Sequence, residues 1–393
     1  MKILIALTYY RPHTSGLTIY VERLVRALAA RGHAVTVLTS QYDRSLPRDE
    51  RLDGARVIRV PVAFRVSKGV IMPTFGFLAT RLAREHDLLS LHLPQFDASG
   101  LALRGRLMKK PVVLTYHCDL KLPPGLFNRF VDKVVFLGNM VAARWADVMV
   151  AYTQDFATHS PYLSRYLNKV QVIPPPVHVH TPTRAEVDAF RAKWNPDGRR
   201  VIGMATRLAA EKGVEYLLDA LPRVREAFPG ARVLFAGQHQ NVLGEETYAR
   251  RLAPLIEREG DGWTFLGNLD QVQIASFFSC LDTLVVPSIN STETFGLVQV
   301  EAMLLGTPSI ASDLPGVRQP VRMTGMGEVV PIGDSAALAE AIIRVLSDRE
   351  RYVKPRSDIE ALFSTERTAE HYERLFEELL SQPAHRRAYA PQD

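Results

Sequence analysis

The sequence predicts an α/β fold made of two Rossmann-like, doubly wound domains facing each other across a cleft. Strand-like apolar runs alternate with amphipathic helical stretches from the first residues, a cluster of prolines interrupts the alternation once, and the same alternation then restarts. The length agrees, since 393 residues is about two to three times the usual size of one domain.

The first run is "KILIAL" (2–7), followed by "IYVERLVRALAARG" (19–32) and "HAVTVLT" (33–39). A strand, helix, strand unit of that length predicts parallel pairing through a right-handed crossover. Further strands are expected at "ARVIRVP" (55–61), "LLSLHLP" (88–94), "PVVLTYH" (111–117), "DVMVAYT" (147–153) and "VQVIPP" (170–175). Prolines 174, 175, 176 and 182 then exclude a central strand or a helix interior and mark the boundary between a domain at 1–175 and one at 176–363. The second series contains strands in "RRVIGMATRL", "ARVLFAGQ", "WTFLGNL", "DTLVVPS", "TPSIASD" and "GEVVPI". Helices are expected in "GVEYLLDALPRVREAF", "QVQIASFFSCL" and "SAALAEAIIRVLSD". After a polar stretch, "RERYVKPRSDIE" (349–360), a last amphipathic helix spans 364–381.

With 47% hydrophobic and 23% charged residues, the chain has neither a disordered nor a fibrous composition. Cys118 and Cys280 cannot build a disulfide framework and lack metal-ligand spacing, which fits free thiols in a reducing cytoplasm. The N-terminal apolar run is too short for a signal-peptide core, and no stretch approaches the roughly 20 apolar residues of a membrane span. A cytoplasmic protein is expected, peripheral to the inner face of a membrane if attached at all. Charge is uneven: residues 1–175 carry 24 Lys+Arg against 12 Asp+Glu, a net +12, and the remainder 24 against 30, a net −6. The densest basic stretch, "LALRGRLMKK" (101–110), suits an anionic membrane surface or a phosphorylated acceptor, or is simply a solvated helix face. Nucleic acid is not expected, because the cations are dispersed without an RNA-binding aromatic motif.

Two places concentrate chemistry. In "MATRLAAEKGVEYLL", Arg207 and Lys212 follow a strand and precede a helix, an arrangement that suits a phosphate group but also ordinary solvated cations. In "STETFGLVQVEAMLLGTPSIASDLPG" (291–316), Glu293 precedes a helix expected to begin near Phe295 or Gly296, and Glu301 falls in its second turn. Gly296 permits close backbone approach, and the N–H groups of Gly296, Leu297 and Val298 would point toward an anion. As isolated residues, the two glutamates read equally as a first-turn acid and an exposed helical acid.

The blocks "RLAAEKG", "TFLGNL", "LDTLVVPS" and "ETFGLVQVEAMLLGTPSIASDLPGV", in this order, resemble the C-terminal half of the family 4 (group 1) retaining glycosyltransferases, which have the GT-B fold. "SGLTIYVERLVRALAARGHAVTVLT" resembles that family's glycine loop and first helix, and "LTYHCDL" its strand ending in His and Asp, so the likeness spans nearly the whole chain. It implies an enzyme that moves a hexose from a UDP- or GDP-linked sugar to a hydroxyl acceptor, lipid-linked or phosphorylated, without metal or other cofactor. Arg207 and Lys212 would hold the diphosphate, Glu301 the ribose hydroxyls and Glu293 the transferred sugar. His117 would lie beside that sugar, Gly16 would leave room for phosphate or acceptor, and Leu266 and Gly267 would border the base. Phe295, Gly296, Leu297 and Val298 complete the donor loop, and the helix 364–381 would cross back onto the first domain. The chain departs from the family pattern at Ser15-Gly16-Leu17, at Thr294 and in the linker "VIPPPVHV". Asp119 either orients His117 or caps a loop.

The chain contains no Asp-x-Asp sequence, the dyad that holds the cation in metal-dependent glycosyltransferases, which agrees with a clamp made of cationic side chains. A nucleotide-sugar epimerase would release nucleotide diphosphate without an acceptor. A non-catalytic sugar-nucleotide or polyanion-binding module would not turn over at all.

Overall fold

The structure is a computed structural model that describes residues 1–66, 69–119, 126–242 and 244–383. The chain divides into two compact units. One comprises Met1–Pro176 and the chain from Ser364, and the other is Val177–Phe363.

The first unit is built on β1 (Lys2–Ala6), β2 (Ala34–Gln41), β3 (Asp49–Leu52), β4 (Ala55–Pro61), β5 (Phe64–Val66), β6 (Gly69–Ile71), β7 (Leu88–Leu93), β8 (Val112–Tyr116), β9 (Val148–Ala151) and β10 (Val170–Val172). Eight of these form one sheet in the order β10-β9-β8-β7-β1-β2-β4-β3, and β5 and β6 make a separate hairpin. The sheet is parallel except at the β3–β4 edge. Central strands such as β7 and β8 are buried at every position, as helices on both faces require, and so read as continuous apolar runs. Strand order reverses at β1, which places the switch point at the ends of β1 and β7.

Helix Gly16–Ala30 follows β1, with the Ser15 hydroxyl accepting from Thr18 N–H as its N-cap. The last helix, Thr365–Ser381, packs on it. Its apolar face buries Tyr372, Leu375, Phe376 and Leu379, and Thr368 Oγ1 donates to the carbonyl of Pro174. At its outer side Glu373 pairs with Arg31 and, at 2.8 Å, with His33.

The second unit contains β11 (Val201–Ala205), β12 (Arg232–Ala236), β13 (Trp263–Gly267), β14 (Thr283–Val286), β15 (Ser309–Ser312) and β16 (Gly327–Val330). All pair in parallel, in the order β13-β12-β11-β14-β15-β16, the doubly wound arrangement whose switch point lies between β11 and β14. Its core interleaves β11, β12 and β14 with the helices Val214–Ala227 and Ser335–Ser347.

Two regions differ from the sequence expectation. The proline-marked boundary is followed at once by a helix, Arg184–Trp194, started by a capping box in which Thr183 and Glu186 satisfy each other's backbone N–H groups. The polar stretch 349–360 carries the helix Arg349–Tyr352 and most of Arg356–Phe363; Ile359 and Phe363 are buried. These two side chains anchor the stretch, and Phe363 packs edge-on against Phe295 at 5.6 Å.

Candidate active site

In the second unit the two motif regions meet at the switch point. Arg207 follows β11, and a short turn carries Ala210–Lys212 to Gly213. Gly213 sits at φ +63°, and a Cβ there would lie 2.3 Å from the carbonyl of Pro287. Glycine therefore lets this turn press against the loop after β14, where Ile289 N–H donates to the carbonyl of Glu211 at 3.0 Å.

That contact brings together side chains 81 positions apart: Lys212 Nζ lies 2.6 Å from Glu293 Oε2. The other carboxylate oxygen of Glu293 accepts from Gly296 N–H at 3.0 Å. Gly296, at φ +76°, caps a helix that begins one residue later than the latest expected start, Leu297–Met303, with Glu301 in its second turn. A Cβ at Gly296 would come within 2.6 Å of Gln299 Nε2. Fully buried Gln299 holds this loop by donating to the carbonyls of Phe295 and Val317 at 3.0 and 2.9 Å. Phe295 is buried beneath it, so it supports the loop from the core side; Leu297 and Val298 are half-buried.

Arg207 pairs with Glu211, a residue the sequence reading passed over. Burial pushes the Glu211 carboxyl up, but Arg207 and Lys212, with a backbone hydrogen bond, outweigh it and hold it below the usual range. Leu266 and Gly267 end β13, and Gly267, at φ +70°, accepts at its carbonyl from Gly237 N–H at 2.7 Å. His239 stacks on Phe265 beside them, with ring centroids 4.2 Å apart. Arg207, Lys212, Glu293 and the Leu266-Gly267 segment all lie at or just beyond the C-terminal ends of strands, the edge at which such sheets bind ligands. At the opposite edge, a cavity of about 640 Å³ is lined partly by Arg199, Arg200 and Asp282. Two of its arginines are paired with acids, Arg199 with Asp261 at 2.7 Å and Arg200 with Asp282 at 2.8 Å.

In the first unit a Cβ added at Gly16 would meet nothing within 4 Å, so the loop after β1 leaves open space there. His117, just past β8, is buried and held at both ring nitrogens: Nε2 lies 2.9 Å from His92 Nδ1, and Nδ1 is bonded to Tyr152 Oη. Burial, reinforced by His92, drives the His117 pKa well below the usual imidazole value, and burial takes His92 down to about 3. Both rings are therefore neutral at physiological pH. Asp119 accepts from Tyr116 Oη at 3.0 Å and from Ser160 Oγ at 2.7 Å. His92 and Tyr152, the partners that orient His117, carry no motif of their own, and nothing in the strand sequence "LLSLHL" marks His92 as more than a core residue.

Two doubly wound, mainly parallel-sheet units are the architecture of the GT-B fold. Residues 15–176 match the family described as "Glycosyl transferase 4-like domain" and residues 186–361 "Glycosyl transferases group 1". The chain belongs to the group 1, family 4-type glycosyltransferases. It is 30% identical over 351 residues to the phosphatidyl-myo-inositol mannosyltransferase of Mycobacterium leprae, covering 86% of each chain. Among solved structures it is similar to sucrose-phosphate synthase from Thermosynechococcus elongatus, with a TM-score of 0.78, 24% identity and coverage of 97% and 99%. It is likewise similar to Anabaena HepE in complex with UDP-glucose, with a TM-score of 0.76, 20% identity and coverage of 96% and 100%.

Proposed function

We propose that the chain transfers a hexose from a nucleotide diphosphate sugar to a hydroxyl acceptor with retention of configuration and without a metal. The observation that carries this reading is the meeting of Lys212 with Glu293 at the switch point, beside Arg207. Two cations beside a backbone turn suit a diphosphate and would neutralise the charge that develops on the leaving group. Glu293, held by Lys212 and Gly296, would accept from hydroxyls of the transferred sugar, and Glu301 from those of the ribose. His117, neutral and bonded at both nitrogens, serves as a fixed wall near the acceptor and not as a base. Front-face attack, with the departing phosphate taking the acceptor's proton, needs no carboxylate nucleophile. Glu293→Gln should then slow transfer without any covalent sugar adduct appearing by mass spectrometry. No observation favours the epimerase or the binding module.

The test is thermal stabilisation by UDP, GDP, ADP and their sugar conjugates, with and without EDTA, on the wild type and Lys212→Ala. A ligand at a hundred times its dissociation constant stabilises the folded state by roughly 2.7 kcal/mol. A shift from one nucleotide that survives EDTA and is lost in the variant supports the donor site and the metal-free clamp together. No shift from any of them sinks the reading.

A lipid-linked acceptor at an anionic membrane is the form of the reading that the first unit favours. Helix Ala98–Leu107 packs against both Phe75–Glu85 and Leu126–Trp145. Along these helices Phe77 is 81% exposed, Leu107 73% and Leu137 62%, with Arg106, Lys109, Arg129 and Lys133 also exposed. Exposed apolar side chains interleaved with cations suit a surface of anionic lipid. Lys121, another cation the sequence pointed to, lies outside the described residues. No helix among the described residues is long and apolar enough to cross a membrane, so attachment would be peripheral. Co-sedimentation that is equal on neutral and anionic liposomes would remove the membrane from this account.

A further inference from the structure

The buried polar chain around His117 has a direction. Ser90 and His92 lie on β7, His117 follows β8 and Tyr152 follows β9, so the sheet sets these neighbours side by side. Its links are Ser90 Oγ to His92 Nε2 at 3.5 Å, His92 Nδ1 to His117 Nε2 at 2.9 Å, and His117 Nδ1 to Tyr152 Oη. Tyr20 closes over the cluster, edge-on to His117 at 4.9 Å and stacked on Tyr152 at 5.2 Å.

Each neutral imidazole has one donor nitrogen and one acceptor nitrogen, so the tautomer of one ring dictates that of the next. Two orders of protons are self-consistent, and they differ in whether Tyr152 Oη gives its proton to His117 or takes one from it. A phenol is the stronger donor and an imidazole nitrogen the stronger acceptor. That preference favours the order Tyr152 O–H to His117 Nδ1, His117 Nε2–H to His92 Nδ1, and His92 Nε2–H to Ser90 Oγ. It holds only while His92 Nδ1 accepts, because without that acceptor the buried His117 Nε2–H would lose its hydrogen bond and the preference would be offset. In this order Tyr152 Oη meets every other group as an acceptor.

We propose that His92 is a positioning residue for the transfer reaction: by accepting from His117 Nε2–H it fixes the tautomer of His117, and through it the hydrogen-bond polarity of Tyr152 at the ligand edge of the sheet. The proposal rests on the reading that His117 borders the reaction site. His92 itself is fully buried, so a substrate could not reach it. Its effect travels through one imidazole, in the way the partners behind a metal-bound histidine set that ring's tautomer and orientation.

The test is nitrogen NMR of the full-length protein carrying 15N in its histidine rings, with His117 assigned by the loss of its signals in His117→Gln. The expected result is a single neutral tautomer of His117, protonated at Nε2, between about pH 6 and 8. His92→Phe, which keeps a ring but no acceptor, should release His117 into a mixture of tautomers. It should also lower kcat roughly tenfold at an unchanged donor KM. His92→Gln, which retains an acceptor and a donor, should recover most of the rate. A wild-type His117 protonated at Nδ1 or present in both forms would overturn the proposal, and that spectrum decides the matter even if His92→Phe does not fold. A folded His92→Phe with an unaltered His117 tautomer or an unaltered kcat would overturn it equally. If the wild type transfers no sugar, the functional reading fails, while the wild-type spectrum still tests the tautomer.

Discussion

Glu211 competes for Arg207 with any phosphate that approaches the end of β11. The pair is half-exposed on the arginine side, where such contacts contribute only about 0.2–1 kcal/mol. Glu211→Gln should accordingly tighten nucleoside diphosphate binding by up to about fivefold in isothermal titration, because Arg207 no longer has to leave a partner. Weaker binding would mean that Glu211 aligns Arg207 and does not hold it back. Gly296 allows a different prediction. Alanine there must adopt φ +76° and crowd Gln299, so Gly296→Ala should destabilise the second unit by roughly 1–3 kcal/mol in its unfolding transition. Roles for Lys212 and Glu293 came only through the resemblance, carried by sequence blocks that stand in fixed order along the chain, because as isolated residues they read equally as solvated side chains. His92, Tyr152 and Glu211 were not legible, because their roles depend on which strands and loops become neighbours. A histidine inside "LLSLHLP" looks in sequence like any core residue.

Helix Ala98–Leu107 begins after Asp97, whose carboxyl burial pushes up to about 6, although Arg104 opposes the shift. The folded chain thus holds this proton more tightly than the unfolded one, whose value is near 3.8. The associated stability is fully present below about pH 4 and is lost as pH rises through 6. Asp97→Asn should therefore stabilise the first unit at pH 8, by about 1–2 kcal/mol after allowance for partial exposure, and by almost nothing at pH 4. Thermal scans at the two pH values check this, and an equal shift at both would exclude titration as the cause. The parallel strands were readable as apolar runs of five or six residues, whereas Arg184–Trp194 was obscured by the prolines before it. Its signature was nevertheless present as Thr183 followed by Glu186 at the capping-box spacing. The helices within 349–363 bury too few side chains to give a periodic signal.

The first unit is closed by the end of the chain. Tyr372 Oη lies 2.9 Å from Tyr20 Oη and 2.7 Å from Thr115 Oγ1, all buried. Tyr372→Phe would strand those two hydroxyls and should cost about 1–3 kcal/mol in the first unit's melting transition, leaving that of the second unit in place. A shift confined to the second unit would contradict the division of the chain. The sequence showed the amphipathic face of 364–381, but the partner of that face followed only from resemblance, since nothing in a helix states which core it completes.

The same division orders events during synthesis. Val177–Phe363 emerges from the ribosome as one uninterrupted stretch and can fold as soon as it is free. The first unit, although translated earlier, must wait for another 187 residues before the helix that covers Tyr20 and Thr115 exists, a delay of roughly ten to forty seconds at 5–20 residues per second. For that interval the nascent chain carries an uncovered apolar face on its older half, and there a chaperone would find its binding site.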